Sequence, residues 1–262
     1  MAINEWINKI ANDPLNASFH LQYANFASKN HMPYLAYAEL KTAYFLGGNQ
    51  EQKENQKSEY FKALPNRIEL SHNHYARNVS LASEIISKAM SDKITPSILD
   101  VGGGQGHLAA FLPENYKYCL AEPSINGISG LNLPFPDHSF DYVVSCHVLE
   151  HIPLGNREYP NERSMLIYEL TRGEWAKEHL ECIFPQIDDI KGYAKKCGLD
   201  FNVKPNGNLT TGFACVFVDY FANQAGLQND WKKLNSFFNE KYTNVFDQGN
   251  NFSAYLIYLR QR

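Results

Sequence analysis

The sequence predicts an α/β fold, a mostly parallel sheet with helices on both faces, preceded by a small all-helical segment. Three observations carry the prediction. From Ser97 onward, short apolar strands alternate with helical patterns, which is the signature of a sheet covered by crossover helices. One of those strands, Ser97–Val101, runs directly into the turn Gly102-Gly103-Gly104-Gln105-Gly106. Upstream, residues 1 to about 64 show only the helical period.

Taken in order, the first clear elements are helical segments at roughly 17–28 and 34–46, on either side of the break Ser28-Lys29-Asn30-His31 and Pro33. In the second, Leu35, Ala36, Ala38, Leu40, Ala43, Tyr44 and Leu46 recur at helical spacing, and Gly47-Gly48 supplies a stop. "YANF" and "LAYAELKTAYFLG" together resemble one tetratricopeptide (TPR) repeat, too few to build a solenoid. Residues 1–65 therefore read as a hairpin arm, serving either as a cap on the rest of the chain or as a surface for a protein partner or a second copy. The polar stretch 49–58 is a loop or an exposed helix. Residues 72–90 then form an amphipathic helix whose start, His72-Asn73-His74-Tyr75-Ala76-Arg77, places polar side chains near the domain entrance or merely caps the helix.

Beyond it come a strand at 97–101, a helix at 105–112, strands at 117–121 and 140–145, a helix at about 161–177, a strand near 180–184, a helix at 186–197 and a strand at 200–204. Residues 209–247 read as a helical insertion or lid, and Ser253–Leu259 as the closing strand. The second domain accordingly runs from 66 to 262.

Composition excludes several classes. A formal net charge of -4, with no Lys/Arg cluster longer than a pair, gives no electrostatic footprint for nucleic acid. Five cysteines without a C-x-x-C pair indicate neither a disulfide framework nor a cysteine zinc site. The charged N-terminus lacks the apolar core of a signal peptide, and no run of about 18 apolar residues could span a membrane, so a cytoplasmic location is expected.

The chemistry concentrates in Ser97-Ile98-Leu99-Asp100-Val101-Gly102-Gly103-Gly104-Gln105-Gly106. Glycines tolerate positive φ and put no Cβ between backbone and ligand, and a helix N-terminus offers free N–H groups. The spacing is G-x-G-x-G after an aspartate, not the dinucleotide G-x-G-x-x-G, and the Lys-Ser/Thr ending of a P-loop is absent. "LDVGGGQG" resembles motif I of the class I S-adenosylmethionine (SAM) dependent methyltransferases, which implies a Rossmann-like fold with SAM as cofactor. By that resemblance Asp100, Gly102, Gly104 and Gly106 lie against the methionine part of SAM.

Further motifs follow in the family's order. Glu122, at the end of the second strand and sixteen residues past Gly106, matches the acidic residue that accepts the ribose hydroxyls. Leu133-Pro134-Phe135-Pro136-Asp137-His138-Ser139-Phe140-Asp141-Tyr142-Val143-Val144 is similar to the family's "LPFPDxSFDxVV", and Val148-Leu149-Glu150-His151-Ile152 to its "vLEHi". The likeness covers about residues 70–155. It departs after Glu122, where only ten residues lead to Leu133, too few for the family's usual helix and strand. Ser129, followed by Gly130, stands where the family often has an adenine-binding Asp, so backbone groups around Ser129 and Leu131 are the expected adenine contacts.

His147-Val148-Leu149-Glu150-His151 also satisfies the zinc pattern H-x-x-E-H. It directly follows a hydrophobic strand and no third ligand is evident, so no metal is expected. Under the methyltransferase reading Cys146 and His147 lie beside the methionine moiety, and His151 faces the acceptor as general base. For both histidines a packed or capping role is the structural alternative, and for Glu150 a structural hydrogen bond. The acceptor is expected to be small or glycan-like and polar, with O-methylation, on a loose likeness of "HLECIFP…VKPNGN" to methyltransferases linked with glycan synthesis. The rival reading is a SAM-fold scaffold protein that no longer catalyses and uses its arm for a partner.

Overall fold

The computed structural model describes residues 2–47, 53–146, 148, 165–171, 187–206, 228–242 and 254–261. Helices α1 (Ile3–Asn12), α2 (Ala17–Lys29), α3 (Pro33–Phe45), α4 (Lys53–Lys62) and α5 (His72–Asp92) come first. The strands are β1 (Ser97–Val101), β2 (Lys117–Ala121), β3 (Tyr142–Cys146), β4 (Met165–Thr171), β5 (Leu199–Asn206) and β6 (Ala254–Gln261), with α6 (Ile187–Lys196) before β5 and α7 (Gln228–Tyr242) before β6.

The sheet order is β2-β1-β3-β4-β6-β5. The first four strands are mutually parallel, and β6 runs antiparallel between β4 and β5. This is the expected Rossmann-like, mostly parallel sheet with helices around it and a helical N-terminal segment. The apolar runs Ile98-Leu99 and Tyr118-Cys119-Leu120-Ala121 are buried, as strands covered on both faces must be.

Local chemistry sets the helix starts. Asn16 Oδ1 accepts the N–H groups of Ser18 and Phe19 to cap α2. Pro33 opens α3, where its missing N–H costs nothing. Ser71 Oγ accepts the His74 N–H at the start of α5.

Two predicted helices are corrected. In place of a helix at 105–112 there is a turn and one 3-10 turn, His107–Ala110. Gly106 enters it in the left-handed region (φ +73°), and Pro113 disfavours the α conformation just before it, so an α-helix has no room. Within the helix expected at 161–177, Met165–Thr171 is strand β4, paired with β3 on one side and β6 on the other. Its run Met-Leu-Ile-Tyr is the short apolar type whose periodicity cannot separate helix from strand. The strand expected near 180–184 lies outside the described residues. Of the region 209–247, α7 is the described part. α1 and α4 add to the two helices singled out upstream.

α3 occupies a central place. Every residue from Tyr34 to Ala43 is buried, as befits a helix enclosed all round, with α2 on one side and β2 on another. At the outer edge of the sheet, Thr42 Oγ1 accepts the Leu120 N–H (3.0 Å) and Asn126 Nδ2 donates to the Leu120 carbonyl (2.9 Å). These two bonds satisfy the N–H and carbonyl of Leu120 on the side of β2 that no neighbouring strand pairs. At the other end of α3, Phe45 stacks on Phe140 with centroids 4.6 Å apart. One continuous apolar cluster joins Trp6, Ile10, Tyr23 and Tyr37 of the first helices to Ile98, Tyr118, Leu120 and Val144 of the sheet.

Candidate functional site

The parallel registers Val101↔Ala121 and Val101↔Ser145 bring the C-terminal ends of β1, β2 and β3 to one edge of the sheet. The chain order reverses there, β2 lying on one side of β1 and β3 on the other. A crevice beyond such a reversal is where open α/β sheets take their ligands.

The glycine loop fills the mouth of that crevice, anchored by the Gly102 N–H on the Ala121 carbonyl (2.8 Å). Its glycines are not equivalent. Gly104 (φ +55°) has open space where a Cβ would stand, with no atom within 4 Å. Gly106 is buried, and a Cβ there would overlap Ala38 of α3. At Gly102 it would overlap Val148, which follows β3. Gly104 is thus the glycine with free space at its Cβ position, and Gly106 is small so that a helix can pass.

Asp100 lies beneath the loop. It is 4% exposed, accepts a hydrogen bond from the Tyr118 hydroxyl (2.7 Å) and leaves no room for a Cβ at Gly103. Burial raises its pKa to about 6, against the lowering effects of the Tyr118 hydrogen bond and the Arg77 charge. Glu122 reaches the loop from the side. Its Oε2 accepts the Gly104 N–H (3.2 Å), and its Oε1 accepts the N–H (3.1 Å) and Oγ–H (2.6 Å) of Ser124. Three donors leave acceptor capacity on a carboxylate that has about four lone-pair sites.

Ser129 closes the next turn. Its Oγ accepts the Leu131 N–H (3.2 Å), its carbonyl accepts the Asn132 N–H, and Gly130 presses against Val101. The chain between Glu122 and Leu133 contains turns and no helix or strand. Cys146 ends β3, half-buried at the same edge. Asp100, Gly102, Gly104, Glu122 and Cys146 are therefore brought together. Gly106 is turned to α3. His147, Glu150 and His151 lie outside the described residues, among which no cluster of three His, Cys, Asp or Glu is placed to hold a metal ion. Nor, among them, is any helix long and apolar enough to cross a membrane.

The loop also has neighbours that sequence motifs did not single out. His107 stacks on His74 (5.4 Å) and meets the Tyr34 ring edge-on (4.7 Å). Burial, and then the Arg77 charge, lower the His107 pKa to about 4. The Arg77 charge thus acts on both Asp100 and His107, lowering the pKa of each. The polar run His72–Arg77 was the visible signal. The "SFD" motif has a structural part as well: Asp141 accepts the Ser97 N–H and Oγ–H (both 2.8 Å), tying β3 to β1.

Comparison with known proteins points to the same stretch of the chain. Residues 68–160 match the family model described as a methyltransferase domain, almost the stretch on which the motifs resemble class I enzymes. An uncharacterized methyltransferase of Mycobacterium marinum is 32% identical over 97 residues, covering 30% of this chain and 38% of its own. The match thus spans well under half of that curated relative. Among solved structures, a candidate sarcosine dimethylglycine methyltransferase of Galdieria sulphuraria aligns at 12% identity and a TM-score of 0.43, over 71% of this chain and 85% of its own. A SAM-dependent methyltransferase of Thermotoga maritima aligns at 11% and 0.41, over 79% and 96%. The class I SAM methyltransferase resemblance read from the motifs is borne out.

Proposed function

We propose that this chain is a SAM-dependent methyltransferase that methylates a small polar acceptor at oxygen. The observation that carries this reading is the 3.2 Å bond between Gly104 N–H and Glu122, which closes the bare glycine and the acidic strand end on one site. The donor set fits the cofactor. Gly102 and Gly104 offer backbone without side chains, Glu122 keeps one acceptor site on Oε2 for a ribose hydroxyl and would take the second in place of a Ser124 donor, and the turn at Ser129 and Gly130 offers backbone groups for adenine. Asp100 contributes negative charge under the loop, Gly106 supports the loop against α3, Cys146 is assigned to the methionine end, and His147 is assigned there on the motif resemblance alone.

When bound, SAM supplies an electrophilic methyl on a sulfonium. The remaining work falls to this chain: orienting the acceptor, excluding water and removing a proton from an oxygen nucleophile. His151 is the proposed base. A glycan hydroxyl as acceptor, a cytoplasmic location and a partner surface on the N-terminal helices are further proposals, resting on the sequence features above.

Calorimetry with S-adenosylhomocysteine tests the core of this reading. The wild-type chain is expected to bind, and Glu122→Ala, still folded, to lose at least ~1.5 kcal/mol, the low end for a hydrogen bond to a charged group. No heat and no thermal shift with either SAM or its product at millimolar concentration would sink the assignment. With an acceptor in hand, His151→Ala should keep product affinity and lower turnover by at least ~10²-fold. Unchanged turnover would remove His151 from the mechanism.

A further inference from the structure

We propose that Asn126 is the positioning residue for Glu122, and that the N-terminal helices set cofactor affinity through it. The proposal rests on the reading of the crevice as a SAM site. Its starting point is the short connection after β2. With no helix or strand between Glu122 and Leu133, no local element fixes the direction in which Glu122 leaves the sheet.

Asn126 does this in their place. Its side chain is fully buried and makes four hydrogen bonds. Oδ1 accepts the N–H groups of Glu122 (3.1 Å) and Ile128 (3.3 Å), while Nδ2 donates to the Leu120 carbonyl (2.9 Å) and to Glu39 Oε1 (2.9 Å). One amide thereby spans residues 120–128 and brackets Glu122 on both sides. In return, the Glu122 carbonyl accepts the N–H groups of Ile125 and Asn126.

The other end of this network belongs to the N-terminal helices. Glu39 of α3 has no solvent exposure, and its second oxygen meets His20 Nδ1 of α2 at 2.6 Å, while His20 Nε2 contacts the Pro14 carbonyl at 2.9 Å. The Tyr23 hydroxyl of α2 donates to the Ile125 carbonyl (3.0 Å). Gly127 (φ +75°) lies so close to α1 that a Cβ would stand 2.7 Å from the Ile7 carbonyl oxygen. Three consecutive residues after Glu122 are thus held by three different helices: Ile125 by α2, Asn126 by α3 and Gly127 by α1. Packing alone does not call for a buried His–Glu pair, since apolar residues of similar volume usually do as well or better. Of its two outward bonds, one holds the Pro14 carbonyl and the other goes to the amide that fixes Glu122.

A double-mutant cycle tests this, with S-adenosylhomocysteine affinity measured by calorimetry on the full chain at a temperature where every variant is folded. Asn126→Ala is expected to weaken binding about tenfold, the worth of one charge-assisted hydrogen bond. On a Glu122→Gln background the same change is expected to add a factor below about two, because the residue through which it acts is already disabled. Factors that multiply, or an Asn126→Ala chain that binds like wild type, would overturn the proposal while leaving the SAM reading intact. A wild-type chain that does not bind would overturn both. Should Asn126→Ala not fold, Glu39→Gln, which keeps an oxygen for Asn126, and Glu39→Leu, which does not, carry the comparison. Affinity retained in the first and lost in the second supports the relay, and equal affinity refutes it.

Discussion

Asp100 shows how one motif letter acquires a different physical role once it is folded. Burial raises its pKa to about 6 from an ordinary 3.8, so the folded chain holds the proton more tightly than the unfolded chain. That contribution to stability is full below pH ~4 and is lost as pH rises through about 6. His107 works in the opposite sense. Its pKa falls from 6.5 to about 4, so its contribution is present above pH ~6.5 and is lost as pH falls through about 4. The two slopes oppose each other across the same window. Asp100→Asn, which keeps an acceptor for the Tyr118 hydroxyl, removes one of them. Measured by urea melts from pH 4 to 7, the variant should gain on the wild type as pH rises, by ~1–3 kcal/mol. Parallel curves for the two chains would show that Asp100 is not the group titrating. The aspartate itself was legible in the sequence because it precedes a glycine turn. Its downward orientation was not, because Tyr118 lies eighteen residues away and only strand register brings the two together.

The glycine loop separates ligand space from packing space. In Gly104→Ala the methyl enters open crevice, so the cost is that of a left-handed residue, ~1–2 kcal/mol. Gly106→Ala bears the same strain and also collides with Ala38, which adds ~1–3 kcal/mol of overpacking. Denaturation midpoints should therefore fall further for Gly106→Ala, while loss of S-adenosylhomocysteine binding in a chain that remains folded should be the mark of Gly104→Ala. A reversed order of midpoints would mean that α3 does not sit where the core places it. Motif spacing could not separate these glycines, since what distinguishes them is a helix more than sixty residues upstream. The strands that bear the motifs were legible because Ile98-Leu99 and Cys119-Leu120 are apolar runs bounded by turn residues. β4 was not, because Met165–Tyr168 becomes a strand only by pairing with β3 and β6. The 3-10 turn at His107–Ala110 is hidden in the sequence because a glycine loop invites a full helix, and only the short distance to Pro113 limits it.

Across the chain, the first three helices serve as the missing part of the sheet domain. A methyltransferase-type sheet usually places a helix and a strand after the ribose acid; here that connection is ten residues long. The exposed edge of β2 is closed by Thr42 and Asn126, the turn after Glu122 by α1, α2 and α3, and the face of β2 by α3. A boundary near residue 65 divides the sequence into two patterns, but the hydrophobic cluster runs across it. Removing the first 66 residues would strip Trp6, Ile10, Tyr23, Leu35, Tyr37 and Leu40, all buried, from the common core. At about 1.5–3 kcal/mol for each large apolar side chain, six such losses reach the ~5–15 kcal/mol that holds a whole domain folded. Two buried polar groups, the Leu120 N–H and one donor of Asn126, and the part-buried Ile125 carbonyl would also lose their partners. A chain beginning at Arg67 is therefore expected to show no cooperative thermal transition and to elute as aggregate in size-exclusion chromatography, although it retains the glycine loop, Glu122 and the "LPFPD" segment. A monomeric peak that melts cooperatively and binds S-adenosylhomocysteine would show that the sheet holds Glu122 in place unaided, and would return the helices to the part of a detachable arm.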